Sequence, residues 1–442
     1  MSIYGLQSWQ ILQQKDGYAD LEIVYETSGW IRNPVIPEEF RVSALFKRVR
    51  AKIFEEETGR EVIPWVYGSD VEDHKSYCRI KNIPVGGLYT LKLQTEFQNA
   101  DGTTFAYDSD LIKHFGVGDN FLIAGQSNAD GSAYGPYNDE MMIGVSSYRN
   151  GKWDLASHPL GGAGVSPFLS FAKYLKKRLG YPIGLIPRAV GGSPISTWVK
   201  GGIHTERLRN EVNDGLGDIK AVLWYQGCTV AEKMETAVIY ENEFMNYRNE
   251  MKKMFGDIPI ITFQLNRLRN EMIEQEEGYN ILRETQRQIA LKNEDCYIIP
   301  TIDLTTMSDH IHNGCSDSML LGQRAAGFVL DKIYNKEKNY EAPVLKSVFV
   351  NENKIRLEFD NVADTLVYLP SLKELFPVTI SDINGVKETE DFTIEKNIVT
   401  LVLKDALDED ARVSINSGID PKSIIFDSVS KQPVVCVYNF KI

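Results

Sequence analysis

Short apolar runs that alternate with helical patterns most constrain the fold of this 442-residue chain. Five such runs lie between residues 118 and 337: Phe121–Ala124, Ile183–Val190, Ala221–Trp224, Ile258–Phe263 and Tyr297–Ile302. Between and after them, segments with helical periodicity lie at Phe168–Arg178, Thr236–Met254, Tyr279–Lys292 and Asp317–Tyr334. Strands that are apolar throughout are typical of a parallel sheet covered by helices on both faces. We therefore predict an α/β fold of three layers around a doubly wound parallel sheet.

The flanking regions show a two-residue periodicity instead. Before residue 118, alternating runs such as 39–57 (EFRVSALFKRVRAKIFEEE) and 88–98 (LYTLKLQTEFQ) are separated by turn signals. After residue 337 the same alternation returns, for example in 398–404 (IVTLVLK). Alternating strands with turns at this spacing are typical of antiparallel β-sandwiches. We therefore predict three domains, an N-terminal β-sandwich-like domain (1–117), a catalytic domain (118–337) and a C-terminal β domain (338–442).

Composition and charge exclude several classes of partner. The chain has 48 basic and 61 acidic residues, a net charge of −13 that repels nucleic-acid backbones and anionic membranes. The five cysteines are scattered without a CxxC pair, so we expect neither a zinc site nor a disulfide framework, and a reducing compartment fits best. The N-terminal residues lack the pattern of a signal peptide. We expect a cytoplasmic location, with export after removal of a leader as the alternative.

The turn Gly125-Gln126-Ser127-Asn128 offers a candidate nucleophile. It directly follows an apolar run, at the carboxyl end of a predicted strand, where sheets of this type bind ligands. A serine nucleophile needs a base that is itself oriented by a carboxylate. Asp309 stands three residues before His312 in the loop after the last apolar run, so it can reach Nδ1 of the ring and leave Nε2 to face the serine. The alternatives are a loop hydroxyl for Ser127 and a turn cap for Asp309.

Two further loops after predicted strands offer donors for an oxyanion. Gly191 and Gly192 lack side chains, so their backbone N–H groups can approach a ligand. Gln226 follows the run that ends at Trp224 and carries a side-chain amide. A tight turn is the alternative role for the glycines, and a buried amide that joins strand ends is the alternative for Gln226. Cys228 has no cationic neighbour in the sequence, so we do not expect it to be a nucleophile.

Taken together, these blocks resemble the SGNH (GDSL-like) hydrolases, and more narrowly the sialate O-acetylesterases and their carbohydrate acetylesterase relatives. The matching motifs are GQSN, VGGSPISTW, LWYQG, LRETQ and a DxxH that precedes a helix. The resemblance covers nearly the whole chain, including the flanking β regions. The chain departs from the family pattern in two places. Cys228-Thr229-Val230 follow Gly227 where the family usually has an acidic residue and an asparagine, and Asn313 stands where a proline often follows the histidine.

The resemblance implies a role for each candidate residue. Ser127 would be the nucleophile, His312 the general base and Asp309 the residue that orients it. The implied oxyanion donors are the N–H groups of Ser127 and of Gly191 or Gly192, and the amide of Gln226. Residues on the substrate side would be Gln126, Asn128 and Trp198, although packing is the alternative for the tryptophan.

The activity implied is that of a serine esterase that removes O-acetyl groups from a carbohydrate, with O-acetylated sialic acid as the expected substrate. This chemistry needs no metal and no cofactor. An acetylxylan or broad-specificity carbohydrate esterase is the alternative within the same chemistry. A non-catalytic glycan-binding protein is the alternative from another class.

Overall fold

The described residues of the N-terminal part of the chain form eight strands. The computed structural model describes residues 2–26, 44–135, 139–269 and 274–442, so the first five residues of the alternating run 39–57 lie outside the described residues. The strands are β1 (Ser2–Tyr4), β2 (Ile11–Gln13), β3 (Tyr18–Glu26), β4 (Leu45–Glu55), β5 (Glu61–Tyr67), β6 (Lys75–Pro84), β7 (Gly86–Gln98) and β8 (Thr104–Gly125).

The two-residue periodicity of this part follows from two sheets that share one core. One sheet has the order β1-β3-β6, and in the other β5, β4, β7 and β8 pair in antiparallel fashion. Inward-facing residues of both sheets, such as Ile23 on β3 and Leu91 on β7, belong to the same buried cluster. The assignment to the sandwich class remains a prediction.

Strand β8 joins this part to the central sheet. Its first half pairs with β7 in antiparallel fashion, and its second half runs parallel to its neighbours in the central sheet. The predicted domain boundary at residues 117 and 118 therefore falls inside one continuous strand. The strand continues from one region into the other without a break, and residues 121–125 form its carboxyl end.

The central part alternates strands and helices as predicted. Its strands are β9 (Val145–Arg149), β10 (Lys152–Leu155), β11 (Ile183–Pro187), β12 (Ala221–Tyr225), β13 (Ile260–Phe263) and β14 (Cys296–Ile299). Its helices are α1 (Ser127–Asp130), α2 (Pro167–Leu179), α3 (Ile203–Asn213), α4 (Cys228–Ala231), α5 (Met234–Ala237), α6 (Tyr240–Phe255), α7 (Glu276–Lys292) and α8 (Cys315–Lys332).

These strands form a sheet in the order β10-β9-β11-β8-β12-β13-β14, parallel except at the edge strand β10. Successive residues of β8 enter opposite clusters, with Phe121 and Ile123 in one and Leu122 in the other. Helices α2 and α8 pack on the first cluster, and α6 and α7 pack on the second. Because both faces of the sheet are buried, its inner strands β11 and β12 and the last residues of β8 are apolar throughout, which explains the continuous apolar runs there. The outer strands β9 and β10 contain serine and charged residues.

Two helical details differ from the sequence prediction. The predicted helix Thr236–Met254 is interrupted between α5 and α6, at Val238 and Ile239, which are both exposed. Helices α1, α3 and α4 were not predicted, because α1 and α4 have only four residues each and α3 buries only Thr205 and Leu208 and so shows no apolar stripe.

Ten strands form the C-terminal part: β15 (Val344–Asn351), β16 (Lys354–Asp360), β17 (Leu366–Leu369), β18 (Val378–Asp382), β19 (Gly385–Val386), β20 (Thr389–Glu395), β21 (Ile398–Leu403), β22 (Arg412–Ile415), β23 (Ile424–Asp427) and β24 (Val437–Lys441). They make three antiparallel sheets around one buried cluster. Among the described residues, we find no helix that combines the length and the hydropathy of a membrane span.

A buried carboxylate connects the N-terminal part to the central sheet. Asp119 on β8 accepts hydrogen bonds from the hydroxyls of Tyr181 (2.8 Å) and Tyr334 (2.7 Å). The amide of Gln13, on β2, donates to the same carboxylate at 2.6 Å. Burial, together with the negative charge of Asp119, raises the pKa of both phenols, so they remain protonated donors.

We predict that Asp119→Ala lowers the free energy of unfolding by about 3 kcal/mol, because it removes the fully buried carboxylate that two half-buried phenols and the amide of Gln13 share as an acceptor. Urea denaturation followed by circular dichroism measures this change. Asp257→Ala is the matched control, since that side chain is 90% exposed and pairs only with Lys252 among the described residues. Equal losses for the two variants would contradict this view of Asp119.

Candidate active site

Ser127 lies at the turn where β8 ends and α1 begins. Gly125 has a φ of +124°, and a Cβ there would overlap the carbonyl oxygen of Tyr225 on β12. The next N–H, that of Gln126, donates to the same oxygen at 2.9 Å. Ser127 is the first residue of α1, so its own N–H has no partner within the helix. The turn thus holds a hydroxyl and an N–H donor beside the neighbouring strand.

The loop after β11 binds directly to this turn. The carbonyl of Gly125 accepts hydrogen bonds from the N–H of Val190 (3.0 Å) and the hydroxyl of Ser193 (3.1 Å). The two candidate glycines lie between them. The N–H of Gly191 is directed to the Asp130 carboxylate. Burial raises the pKa of that carboxyl, and the Gly191 N–H lowers it by a smaller amount. Gly192 has a φ of +70°, a conformation that glycine adopts without strain.

Gln126, predicted on the substrate side, uses its side chain within the protein. Its Oε1 accepts a hydrogen bond from the N–H of Gly227 at 3.0 Å, and its Nε2 lies 3.5 Å from Oγ1 of Thr229. Thr229 in turn lies 3.4 Å from the carbonyl of Gly192. Gln126 and Thr229 therefore join three segments, which are the serine turn, the glycine loop and the loop after β12. In the family that the chain resembles, an acidic residue usually stands at this position.

The structure places Gln226 and Trp198 in the interior. Gln226 is fully buried, and its Nε2 lies 3.4 Å from Oε1 of Gln126 and 3.3 Å from the carbonyl of Ser193. This position matches the alternative of a buried amide that joins strand ends. Trp198 is also fully buried and packs edge-on against Trp224, with ring centroids 5.6 Å apart, so its position favours packing over the wall of an acyl pocket.

His312 and Asp309 are in direct contact. The Nδ1 atom of His312 lies 2.7 Å from Oδ2 of Asp309, and the N–H groups of Ile311 and His312 both donate to Oδ1 at 3.1 Å. Burial raises the pKa of Asp309, but these hydrogen bonds outweigh it and hold the pKa below its ordinary value. An ionised carboxylate at Nδ1 favours the tautomer in which Nε2 is the free acceptor.

Amide side chains bring the serine turn to the histidine loop. Oδ1 of Asn128 accepts a hydrogen bond from the N–H of Asn313 at 3.1 Å, so the neighbours of Ser127 and His312 are joined. Proline, the usual residue at position 313 in the resembling family, could not make this bond because it has no N–H. Within the described residues, the Ser127 hydroxyl is not itself bonded to the His312 ring. Catalytic hydrogen bonds are often long in unliganded enzymes and tighten when substrate binds.

Asn266 completes this amide network, and the sequence alone did not single it out. It follows β13, where its Oδ1 accepts from Nδ2 of Asn128 (3.4 Å) and its own Nδ2 donates to the carbonyl of Ile311 (2.8 Å). Its position just past the carboxyl end of a predicted strand was the available signal. An amide at that position carries no pattern of its own, so it was missed.

The arrangement offers groups of the kinds that nucleophilic acyl transfer uses. It combines a hydroxyl at a helix start, an N–H beside it, and an imidazole oriented by an ionised carboxylate. The nearby Cys228 does not compete, because burial raises the pKa of its thiol to about 11 and the thiol remains protonated.

Comparisons with known proteins agree with this chemistry. Residues 117–331 match the family model of a carbohydrate esterase described as a sialic acid-specific acetylesterase. A probable carbohydrate esterase from Arabidopsis thaliana is 30% identical in an alignment 189 residues long, which covers 39% of this chain and 68% of that protein. The solved structure of a carbohydrate acetylesterase from Xanthomonas citri has a TM-score of 0.68, covers 98% of this chain and 97% of its own, and at 20% identity shows the shared fold alone.

We predict that Gly125→Ala lowers the free energy of unfolding by about 3 kcal/mol or more, because the new Cβ meets the backbone of β12 at a left-handed φ. Gly151→Ala is the matched control. Its φ is also positive, at +79°, but nothing lies within 4 Å of the added atom, so we expect a loss of about 1 kcal/mol. Chemical denaturation measures both variants. A Gly125→Ala loss no larger than the control would contradict the close approach of β12.

Proposed function

This chain belongs to the carbohydrate esterase family of its Arabidopsis relative and the matching family model, and on that premise we propose that it removes O-acetyl groups from a carbohydrate through an acetyl-enzyme on Ser127. The observation that carries the proposal is the 2.7 Å contact between Asp309 and His312, on a loop that is joined by the Asn128–Asn313 bond to the turn that holds the serine. A hydroxyl, an oriented base and an N–H donor are the parts that acyl transfer needs.

In the proposed first half-reaction, Oγ of Ser127 attacks the acetyl carbonyl carbon while Nε2 of His312 takes the hydroxyl proton. The tetrahedral intermediate collapses when His312 gives that proton to the departing sugar oxygen, which leaves as an alcohol. In the second half, water loses a proton to His312 and attacks the acetyl-enzyme. Acetate leaves, and the proton returns to Oγ of Ser127. Asp309 remains ionised throughout and stabilises the imidazolium.

The proposed oxyanion hole begins with the N–H of Ser127, which has no partner within α1. The N–H of Gly192 is the second candidate, since the N–H of Gly191 is directed to Asp130. Gln226 would need to turn its amide away from Gln126 and Ser193 to contribute a third donor. We therefore place the backbone donors ahead of the side-chain amide.

For the substrate, we propose O-acetylated sialic acid, with an acetylated neutral glycan such as xylan as the second candidate. The description of the matching family supports the first. A sialic acid carries a carboxylate, which a basic side chain near the site could bind. Arg269 is exposed, and its backbone N–H lies 3.4 Å from the carbonyl of His310, on the histidine loop. The net charge of −13 favours the neutral alternative. We extend the proposal to the location of the protein. All five cysteines are buried free thiols. Because thiols persist in a reducing compartment, we propose that the protein is cytoplasmic.

We predict that Ser127→Ala lowers kcat for acetate release by at least about 10³-fold, because the covalent step is lost. Acetate release is measured on O-acetylated sialic acid, acetylated xylan and 4-nitrophenyl acetate. Ser308→Ala is the matched control, since it removes an exposed hydroxyl from the loop that carries His312, and its rate should match that of the wild type.

Each substrate in this panel decides a different point. An unchanged Ser127→Ala rate on 4-nitrophenyl acetate would refute the nucleophile assignment. Rapid turnover of acetylated xylan without turnover of the sialate would replace the proposed substrate with the neutral glycan. Release of acetate from none of them by the wild type would favour a glycan-binding protein without catalysis.

A further inference from the structure

Asn266 is a buried side chain that contacts both loops of the proposed serine–histidine pair. It lies past the end of β13 with almost no exposed surface. Its carbonyl oxygen faces Nδ2 of Asn128, next to Ser127, and its amide nitrogen donates to the carbonyl of Ile311, next to His312. The planar amide of Asn266 therefore contacts both loops and limits the distance between them.

A buried cation holds the backbone of Asn266 in place. Arg283 on α7 is almost fully buried, and its guanidinium donates to the carbonyls of Leu265 (2.9 Å), Asn266 (2.7 Å) and Gly418 (2.6 Å). Burial lowers the pKa of Arg283. A buried charge is tolerated only when its donors are well satisfied, so the three carbonyls cannot shift without large cost. The backbone of Leu265 and Asn266 is therefore firmly held.

The C-terminal β region supplies the other side of this anchor. Gly418 belongs to it, and so does Cys436, whose N–H donates to Oε1 of Gln264 at 2.9 Å. The Nε2 atom of Gln264 donates back to the carbonyl of Cys436 at 3.1 Å and to that of Arg283 at 3.0 Å. The residues on either side of Leu265 are thus bound from α7 and from the C-terminal strands at once.

We propose that Asn266 is a positioning residue that keeps the Ser127 turn and the His312 loop in register, on a support that the C-terminal β region completes through Gly418 and Cys436. The proposal rests on the proposed esterase function. Misplacement of a catalytic group by about 1 Å can cost about 10²-fold in rate. An amide is suited to this task because it accepts from one loop and donates to the other without adding charge beside the imidazole.

The test measures kcat and KM for acetate release by Asn266→Ala. We expect kcat to fall by about 10- to 100-fold with KM within about twofold of the wild type, since the substrate pocket stays while the alignment is lost. Asn120→Ala is the matched control, because Asn120 is a buried asparagine whose amide donates to the carbonyl of Ile11, at the opposite end of the parallel stretch of β8 from Gly125. It should lose stability and keep its kcat.

If Asn266→Ala does not fold, Asn266→Asp carries the same test, since it keeps the shape and the acceptor but loses the donor to Ile311. A folded variant with kcat within about twofold of the wild type overturns the proposal. So does additivity with Asn128→Ala in a double-mutant cycle, because residues that act through one contact are coupled. Activity that survives Ser127→Ala would overturn the proposed function instead, whatever the Asn266 variants do.

Discussion

The site depends on the way in which β8 is enclosed. Residues 115–125 of this strand are buried, and its last residues pair with β11 on one side and with β12 on the other. Its last pairing brings Gly125 so close to Tyr225 that no side chain fits between the two backbones. The serine turn is therefore fixed against β12 before any side chain of the site is considered. Loops that leave β11, β12 and β13 at the same edge then reach this turn over short distances.

Neutral amides connect these loops to one another. Gln126 joins the serine turn to the loop after β12, Asn128 joins it to the histidine loop, and Asn266 joins it to the loop after β13. An amide can donate and accept at once, so it satisfies two backbone groups in a buried place without a charge that would have to be desolvated. The contact between Asp309 and His312 differs from these amide contacts, because it brings an ionised carboxylate into the site.

Much of this arrangement could be predicted from the sequence, because it depends on local pattern. The apolar runs fixed the strands, and the three-residue spacing from Asp309 to His312 predicted their contact. The length of β8 could not be predicted, since its pairing changes from antiparallel to parallel within one strand. Trp198 and Gln226 were expected to face substrate, and their burial depends on packing between loops that lie far apart in the chain. Asn266 was missed for the same reason.

The pairing of Ser127 with His312 as nucleophile and base is tested most directly by covalent labelling. A fluorophosphonate reacts with a serine only when a base activates it, and mass spectrometry of the intact and digested protein locates the adduct. The esterase mechanism predicts one phosphonyl group per chain, on Ser127, and its loss in His312→Ala. An unlabelled wild type, a label on another residue, or equal labelling of His312→Ala would contradict it.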